Sequence, residues 1–423
     1  MEYESKEAYY RYLTKIAVLP EGFLCSTLPI EFIPAEKPGK AKMNLSLILL
    51  DEVTKDFGAC FTSNSFPGAP VLIGRKRLSG ESIRGVLINN KIANVGVSGG
   101  VDDSLALLAE LSGHIHCAPE ALLPASTGII GWRLPVKDMK AALPGLAAGL
   151  KHGSILPVAE AVMTTDSFAK IRKIDVGSGS ILGIAKGAGM IEPNLATMLV
   201  FIMTDLHVKR DELRSTLSSC VSRTFNRITI DGDQSTSDMA LILSSGLKGS
   251  VGVEEFEEAL FSLCSKLASD IMRSGEGVAH VIHLKIVSGL PEKLVIGAGK
   301  NLLNSPLVKT AVYGNDPNVG RILSALGDYL GNGGVAIDTE ELSVHLGGIE
   351  IYAKSGFRLD RDKEEKLSHY LKDCSFDPAV KGYPQHERSV ELEIHLGKGG
   401  RSYEFLGADL SYEYIRENAE YRS

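Results

Sequence analysis

The sequence predicts a layered α/β fold with mixed sheets. Apolar runs of strand length alternate with long helical segments, and their order lacks the regular βαβ repeat that a uniformly parallel sheet needs. The 423 residues, 44% hydrophobic and 23% charged, leave room for two or more domains or one large duplicated architecture of ordinary globular composition.

The elements follow in order. Tyr9, Tyr10, Tyr12 and Leu13 fit one turn of an N-terminal helix or part of a disordered extension. Leu45–Leu50, Gly58–Thr62 and Arg84–Asn89 read as strands, and the leucines of Ser104–Ser112 have helical spacing. Met139–Leu150 reads as an Ala/Leu helix interrupted at Pro144. Val158–Met163 fits helix or strand, and Ile181–Ala185 reads as a strand. Met198–Met203 reads as a buried strand, Asp211–Arg227 as a long helix, and Ile228–Ile230 as a short strand before the turn Asp231-Gly-Asp-Gln-Ser-Thr. Val253–Met272 is a second long amphipathic helix, and His280–Val287 a strand. Pro306–Val312 fits helix or strand, and Arg321–Leu330 is helical. Val335–Leu406 carries short strands around one helix near Asp362–Lys372. Gly331–Gly334 and Gly397–Gly400 mark surface loops, and no short repeat or low-complexity segment appears.

Bulk properties exclude several classes. A net charge of −7 argues against nucleic acid or an anionic membrane as partner, and a solvated loop accounts for Arg75-Lys-Arg77. No run approaches the ~18–20 apolar residues of a membrane span, and the charged start Met1-Glu-Tyr-Glu-Ser-Lys-Glu has no signal core, so a cytoplasmic protein is expected. Cys25, Cys60, Cys117, Cys220, Cys264 and Cys374 are scattered, as suits reduced, mostly buried thiols. His114 with His116, and His280 with His283, read as surface or element-end histidines. No metal and no cofactor is expected, since no ligand spacing or Walker loop occurs.

The most telling segment runs from Lys186 through Gly-Ala-Gly-Met-Ile-Glu-Pro-Asn-Leu to Ala196-Thr197, and enters the apolar run Met198–Met203. It has the form of a self-cleavage site. A Thr freed at its N-terminal side carries an α-amine of pKa about 7.7–8.0 beside its own hydroxyl. Such an amine, when neutral, takes the hydroxyl proton, so one residue is both nucleophile and base.

This segment resembles the cleavage region of the glutamate N-acetyltransferase/ornithine acetyltransferase family of arginine biosynthesis. Further blocks resemble that family in its own order: Ser126-Thr127-Gly128-Ile-Ile-Gly131, Met163-Thr164-Thr-Asp166, Phe225 to Asp233, Gly275-Glu276-Gly277, Asn304 to Thr310, Asp316-Pro-Asn318 with Gly320-Arg-Ile322, and Asn418 to Ser423. The resemblance runs from about residue 126 to the end and, more weakly, back to about residue 60.

The resemblance implies a layered sandwich of the N-terminal-nucleophile-like type, cut between Ala196 and Thr197 into an alpha fragment of residues 1–196 and a beta fragment of residues 197–423 that pair as a heterotetramer. It implies Thr197 as nucleophile and Thr127 with Gly128 as the oxyanion pair. Thr164, Lys186, Thr197, Glu276, Asn418 and Ser423 become substrate contacts. The implied reaction is ping-pong acetyl transfer from N-acetylornithine to glutamate, with or without acetyl-CoA as a second donor. The sequence departs from the family at Val278-Ala279-His280, at Asn90 to Asn94 and at Val319, which weakens the inference of substrate more than that of reaction class. Two rivals stand beside it: an acyltransferase or amidohydrolase acting on another N-acylated amino acid, and an uncleaved, inactive relative.

Overall fold

A computed structural model describes residues 3–192 and 198–420. In chain order the strands are β1 (Phe23–Phe32), β2 (Ala41–Thr54), β3 (Phe57–Phe61), β4 (Ile83–Asn89), β5 (Leu122–Ser126), β6 (Lys170–Val176), β7 (Gly179–Lys186), β8 (Leu199–His207), β9 (Ile228–Thr229), β10 (Met239–Ser250), β11 (Val281–Ser288), β12 (Leu342–Leu346), β13 (Ile349–Ala353), β14 (Gly356–Phe357), β15 (Val390–Leu396) and β16 (Arg401–Ala408). They form three sheets, ordered β1-β2-β4-β5, β3-β10-β8-β7-β6 and β14-β13-β12-β15-β11-β16-β9.

The first two sheets are stacked. Strand side chains alternate between faces. In β8, Leu199, Phe201 and Met203 point at Ile48, Leu50, Val86, Ile88 and Leu123 of the four-stranded sheet. The alternate residues Val200, Ile202 and Leu206 pack on the helices Arg210–Arg223 and Val253–Arg273. The outer face of the four-stranded sheet, through Leu45, Leu47, Leu49 and Leu87, lies on the helices Gly100–Ile115 and Val136–Ala148. The result is four layers: helices, sheet, sheet, helices. A strand buried on both faces must be apolar throughout, which is why β8 reads as one unbroken run. The third sheet covers one face with the helices Glu292–Asn304, Val319–Asn332 and Arg361–Asp373. Its other face presents half-buried His283 and Lys285 beside Glu391 and Glu393. The fold is therefore the layered α/β arrangement with mixed sheets that the sequence predicts.

Strands from both sides of the 196–197 bond share one sheet. β7 and β8 pair antiparallel over Ile181↔Thr204 to Lys186↔Leu199, and β10 lies parallel to β8 from Met239↔Leu199. Residues 1–196 and 197–423 are thus interleaved rather than separate folding units.

Several expectations need correction. The helix Val136–Ala148 is not interrupted at Pro144. Pro144 is on the exposed side, where water can satisfy the carbonyl it frees, while Leu143 and Leu146 anchor the helix to the core. The helix expected over Asp211–Arg227 stops at Arg223, where Thr224 turns to φ −124, ψ −83 and a 3₁₀ turn follows. Arg75–Arg77 is the last turn of the helix Ala69–Arg77, not a loop. His280 is at an element end but buried, with Nδ1 2.7 Å from Asp409 Oδ2. His283 lies inside β11, bonded to Glu391, rather than at an element end. The N-terminal turn is a full helix, Lys6–Ile16, and both segments that fitted helix or strand are helical.

The layers are tied by a buried ion pair. Arg172 of β6 meets Asp270 of the helix Val253–Arg273 in a two-pronged contact of 2.7 and 2.6 Å, with Asp270 1% and Arg172 8% exposed. Truncating one partner strands a buried charge. Asp270→Ala should therefore lower stability by about 3–5 kcal/mol, as read by urea unfolding. A loss under about 1 kcal/mol would mean the pair behaves like an exposed one.

Candidate active site

The three adjacent strands β7, β8 and β10 come to one end of their sheet at Lys186, Leu199 and Met239. In the facing sheet, β4 and β5 both finish at Asn89 and Ser126. Between these ends opens a cavity of about 590 Å³. Its walls come from Ser126 to Gly128, from Thr164 and Thr165, from Lys186, and from Met198 with Leu199. Ser235 to Asp238, Glu276, Glu417 and Asn418 complete it.

The segment Thr127-Gly128 is clamped by its neighbours. Ser126 Oγ donates to Asn89 Oδ1 at 2.6 Å, and Thr127 N–H to the Asn89 carbonyl at 3.1 Å. Beyond it, Ile129 N–H donates to the Lys91 carbonyl at 2.9 Å. Gly128 has φ +124, and a Cβ there would lie 2.2 Å from the Lys91 carbonyl carbon. Only glycine fits, so the backbone passes close and is fixed beside the cavity. A backbone held this close to a cavity, next to a hydroxyl side chain, can present the donors that an oxyanion hole needs.

Asp166 organises the opposite wall. It is fully buried, 2.5 Å from Lys170 Nζ, and accepts from Thr164 N–H at 3.0 Å and Gly187 N–H at 2.8 Å. Burial opposes its ionisation. The ammonium groups of Lys170 and Lys186 and these hydrogen bonds outweigh it and hold the carboxyl well below the usual carboxylate range. One ionised carboxylate thereby sets the Thr164 loop and the backbone just after Lys186.

A second carboxylate holds the loop that leads towards residue 196. Asp231 accepts from Met190 N–H at 2.7 Å and Ile191 N–H at 2.8 Å. Met190 has φ +57, a left-handed conformation that these bonds help to hold. Tyr414 of the tail helix Tyr412–Glu420 donates its hydroxyl to Asp231 at 3.2 Å. Asn418, one turn on, donates to Glu276 Oε2 at 3.0 Å, and Glu276 N–H donates to the Ala188 carbonyl at 2.8 Å. Gly277, at φ +61, would drive a Cβ to 2.2 Å from Tyr414 N, so glycine lets the tail dock. Glu417 faces the same cavity, and burial, then the neighbouring Glu276, pushes its carboxyl above the ordinary range.

Of the residues expected in the site, Thr127, Gly128, Thr164, Lys186, Glu276 and Asn418 all line this one cavity. Ala196, Thr197 and Ser423 lie outside the described residues, while Met198, next to Thr197 in sequence, is in the wall. Of the departures from the family pattern, Ala93 touches the cavity. His280 is buried against Asp409, Val319 packs in the third sheet's core, and Asn90 supports the Thr164 loop by donating to the Ala161 and Met163 carbonyls. Sequence reasoning gave no role to Asp231, Asp238 or Glu417. A run as polar as Asp231 to Asp238, set between two buried strands, was the signal for the first two. Among the described residues no cluster of three or more His, Cys, Asp or Glu is arranged to hold a metal, and no helix is long and apolar enough to cross a membrane.

Residues 34–423 match the ArgJ family. The arginine biosynthesis bifunctional protein ArgJ 2 of Clostridium acetobutylicum is 33% identical over 407 residues, covering 96% of this chain and 98% of that protein. The arginine biosynthesis bifunctional protein ArgJ of Thermus thermophilus is 35% identical over 411 residues, covering 95% and 98%. Among solved structures, ArgJ of Bacillus halodurans is 32% identical, covers 52% of this chain and 98% of its own, and superposes with a TM-score of 0.45. The chain belongs to the ArgJ family.

Gly128→Ala places a side chain against the Lys91 backbone at a left-handed φ. It should cost about 1–3 kcal/mol of stability, measurable by chemical denaturation. Gly131→Ala, where a Cβ meets nothing within 4 Å despite φ +87, should cost less. Equal losses at both would show that the close approach at residue 128 does not matter.

Proposed function

We propose that this chain cleaves its own Ala196–Thr197 bond and then works as a ping-pong acetyltransferase of arginine biosynthesis. It takes acetyl from N-acetylornithine and passes it to glutamate. The observation that carries this reading is convergence: six residues from widely separated parts of the sequence line one cavity, together with the neighbour of Thr197. Membership of the ArgJ family, whose relatives are named bifunctional proteins of arginine biosynthesis, supports it.

The freed α-amine of Thr197 takes the proton of its own hydroxyl as the oxygen attacks the acetyl carbonyl of the donor. Charge develops on the carbonyl oxygen, which the Thr127 hydroxyl and the Gly128 backbone receive. The carbon–nitrogen bond breaks, the proton passes to the departing amine, and ornithine leaves an acetyl ester on Thr197. The neutral amine of glutamate attacks that ester and restores the hydroxyl. Lys186 supplies the positive charge for a substrate carboxylate, and Glu276, held by Asn418, the negative charge for a substrate ammonium. Thr164 and Ser423 complete the substrate contacts.

The two fragments stay together because the β7–β8 ladder crosses the cut. We assign the working form as a cytoplasmic heterotetramer of two copies of each. Of the departures from the family pattern, His280 and Val319 lie away from the cavity, and the Asn90 to Asn94 segment borders it through Ala93.

Intact mass spectrometry should find two fragments, with Thr197 as a new N-terminus. Thr197→Ala should remain a single chain, since the acyl shift needs the hydroxyl. A wild-type mass equal to the full chain would sink the reading and leave an uncleaved relative.

A further inference from the structure

Self-cleavage poses a problem that acetyl transfer does not. In the precursor the nitrogen of Thr197 is an amide. It has no free lone pair and cannot take a proton from the hydroxyl. The base that serves the mature enzyme therefore does not yet exist when the bond must break, and another group must act.

Asp238 meets that need. It lies just before β10, is 5% exposed and lines the cavity. Met239 N–H donates to the Met198 carbonyl at 3.0 Å, which fixes this turn against the start of β8. The Asp238 carboxyl itself accepts from the Met198 backbone N–H and from the Ser235 hydroxyl. That Met198 amide is the peptide link to Thr197, so the Thr197 hydroxyl is only a few covalent bonds from the group the carboxyl already holds. The second oxygen, Oδ2, is buried and has no hydrogen-bond partner among the described residues. An unpaired buried carboxylate oxygen is costly and calls for a task. Its neighbours set its strength. Burial pushes the carboxyl well above the usual range, against which Ser235, Lys186 at the end of β7 and the Met198 amide act only in part. The other charged groups on the cavity, Glu276 after the helix Val253–Arg273 and Glu417 and Glu420 on the tail helix, are acidic. A carboxylate so placed is a stronger base than one in water.

We infer that Asp238 is the general base of self-cleavage, taking the Thr197 hydroxyl proton on Oδ2 as the Thr197 oxygen attacks the carbonyl carbon of Ala196. An oxygen–carbon bond forms and the carbonyl electron pair moves onto its oxygen. On collapse the carbon–nitrogen bond breaks, and the proton on Asp238 passes to the departing nitrogen. This leaves the Thr197 α-amine and an ester from Ala196 to the Thr197 oxygen. Water then adds to the ester carbonyl, returns the Thr197 hydroxyl and leaves Ala196 with a carboxylate. Asp238 ends as it began, and the new amine takes over as base for acetyl transfer.

The inference rests on the self-cleavage proposed above, and its test separates the two. Asp238→Asn keeps the shape and the Ser235 and Met198 contacts but removes the base. The purified full-length variant should unfold at the wild-type temperature yet process at least about 10²-fold more slowly. Sodium formate, a carboxylate small enough for the adjoining cavity, should restore cleavage at a rate that rises with its concentration, and Thr197 should be the new N-terminus. Processing at the wild-type rate, or a folded variant that stays whole in formate, overturns the inference. Should Asp238→Asn fail to fold, pulse-labelled wild-type chain made in a cell-free system across a pH series decides it. Processing should fall about tenfold per pH unit below a midpoint lying above about 3.9, the ordinary aspartate value. A rate independent of pH overturns it. A wild-type chain that is never cleaved removes the self-cleavage reading itself, whereas a cleaved wild type beside an equally cleaved Asp238→Asn removes only the role of Asp238.

Discussion

Everything in the site depends on how β7, β8 and β10 pair. β7 and β8 run antiparallel and β10 runs parallel to β8, so the end of one strand and the starts of two others fall at the same edge. The ends carry Lys186, Met198 and Asp238. Hydrophobic burial on both faces fixes the register, because a slip by one residue would turn Val200 and Ile202 out of one core and Phe201 and Met203 out of the other. A chemical constellation is thus held by apolar side chains that never touch it.

Two carboxylates, buried Asp166 and half-buried Asp231, extend that order into the loops. Asp166 ties the Thr164 loop to the backbone after Lys186, and Asp231 ties the Met190 turn to the tail helix through Tyr414. The tail helix buries none of its own side chains fully; it docks through polar contacts, through Tyr414 packed against the core, through the Tyr412 ring against Tyr313, and in the room that Gly277 leaves.

Much of this was legible in the sequence. Unbroken apolar runs such as Met198–Met203 identify doubly buried strands, and the amphipathic stretch Val253–Met272 identifies the helix that covers them. What escaped were elements whose pattern is diluted. β1 contains Pro29, tolerated because β1 is an edge strand, and β10 begins apolar but runs out into Ser244-Ser-Gly-Leu-Lys-Gly-Ser. The helix Glu292–Asn304 and the tail helix also went unread. In the site, resemblance supplied six cavity-lining residues but neither Asp238 in the wall nor the carboxylates Asp166 and Asp231 behind it. Asp166 and Asp238 act through burial and hydrogen bonds and Asp231 through hydrogen bonds, and neither property can be read from spacing along a chain.

The account stands or falls on one covalent species, acetyl carried on the hydroxyl of Thr197. Purified protein incubated with N-acetylornithine alone, quenched in acid and examined by fragment mass spectrometry, tests it directly. The account predicts release of ornithine in an amount equal to the enzyme, and a beta fragment heavier by one acetyl group located on Thr197, discharged when glutamate is added. No ornithine release until glutamate is present, or acetyl found on a residue other than Thr197, would contradict it.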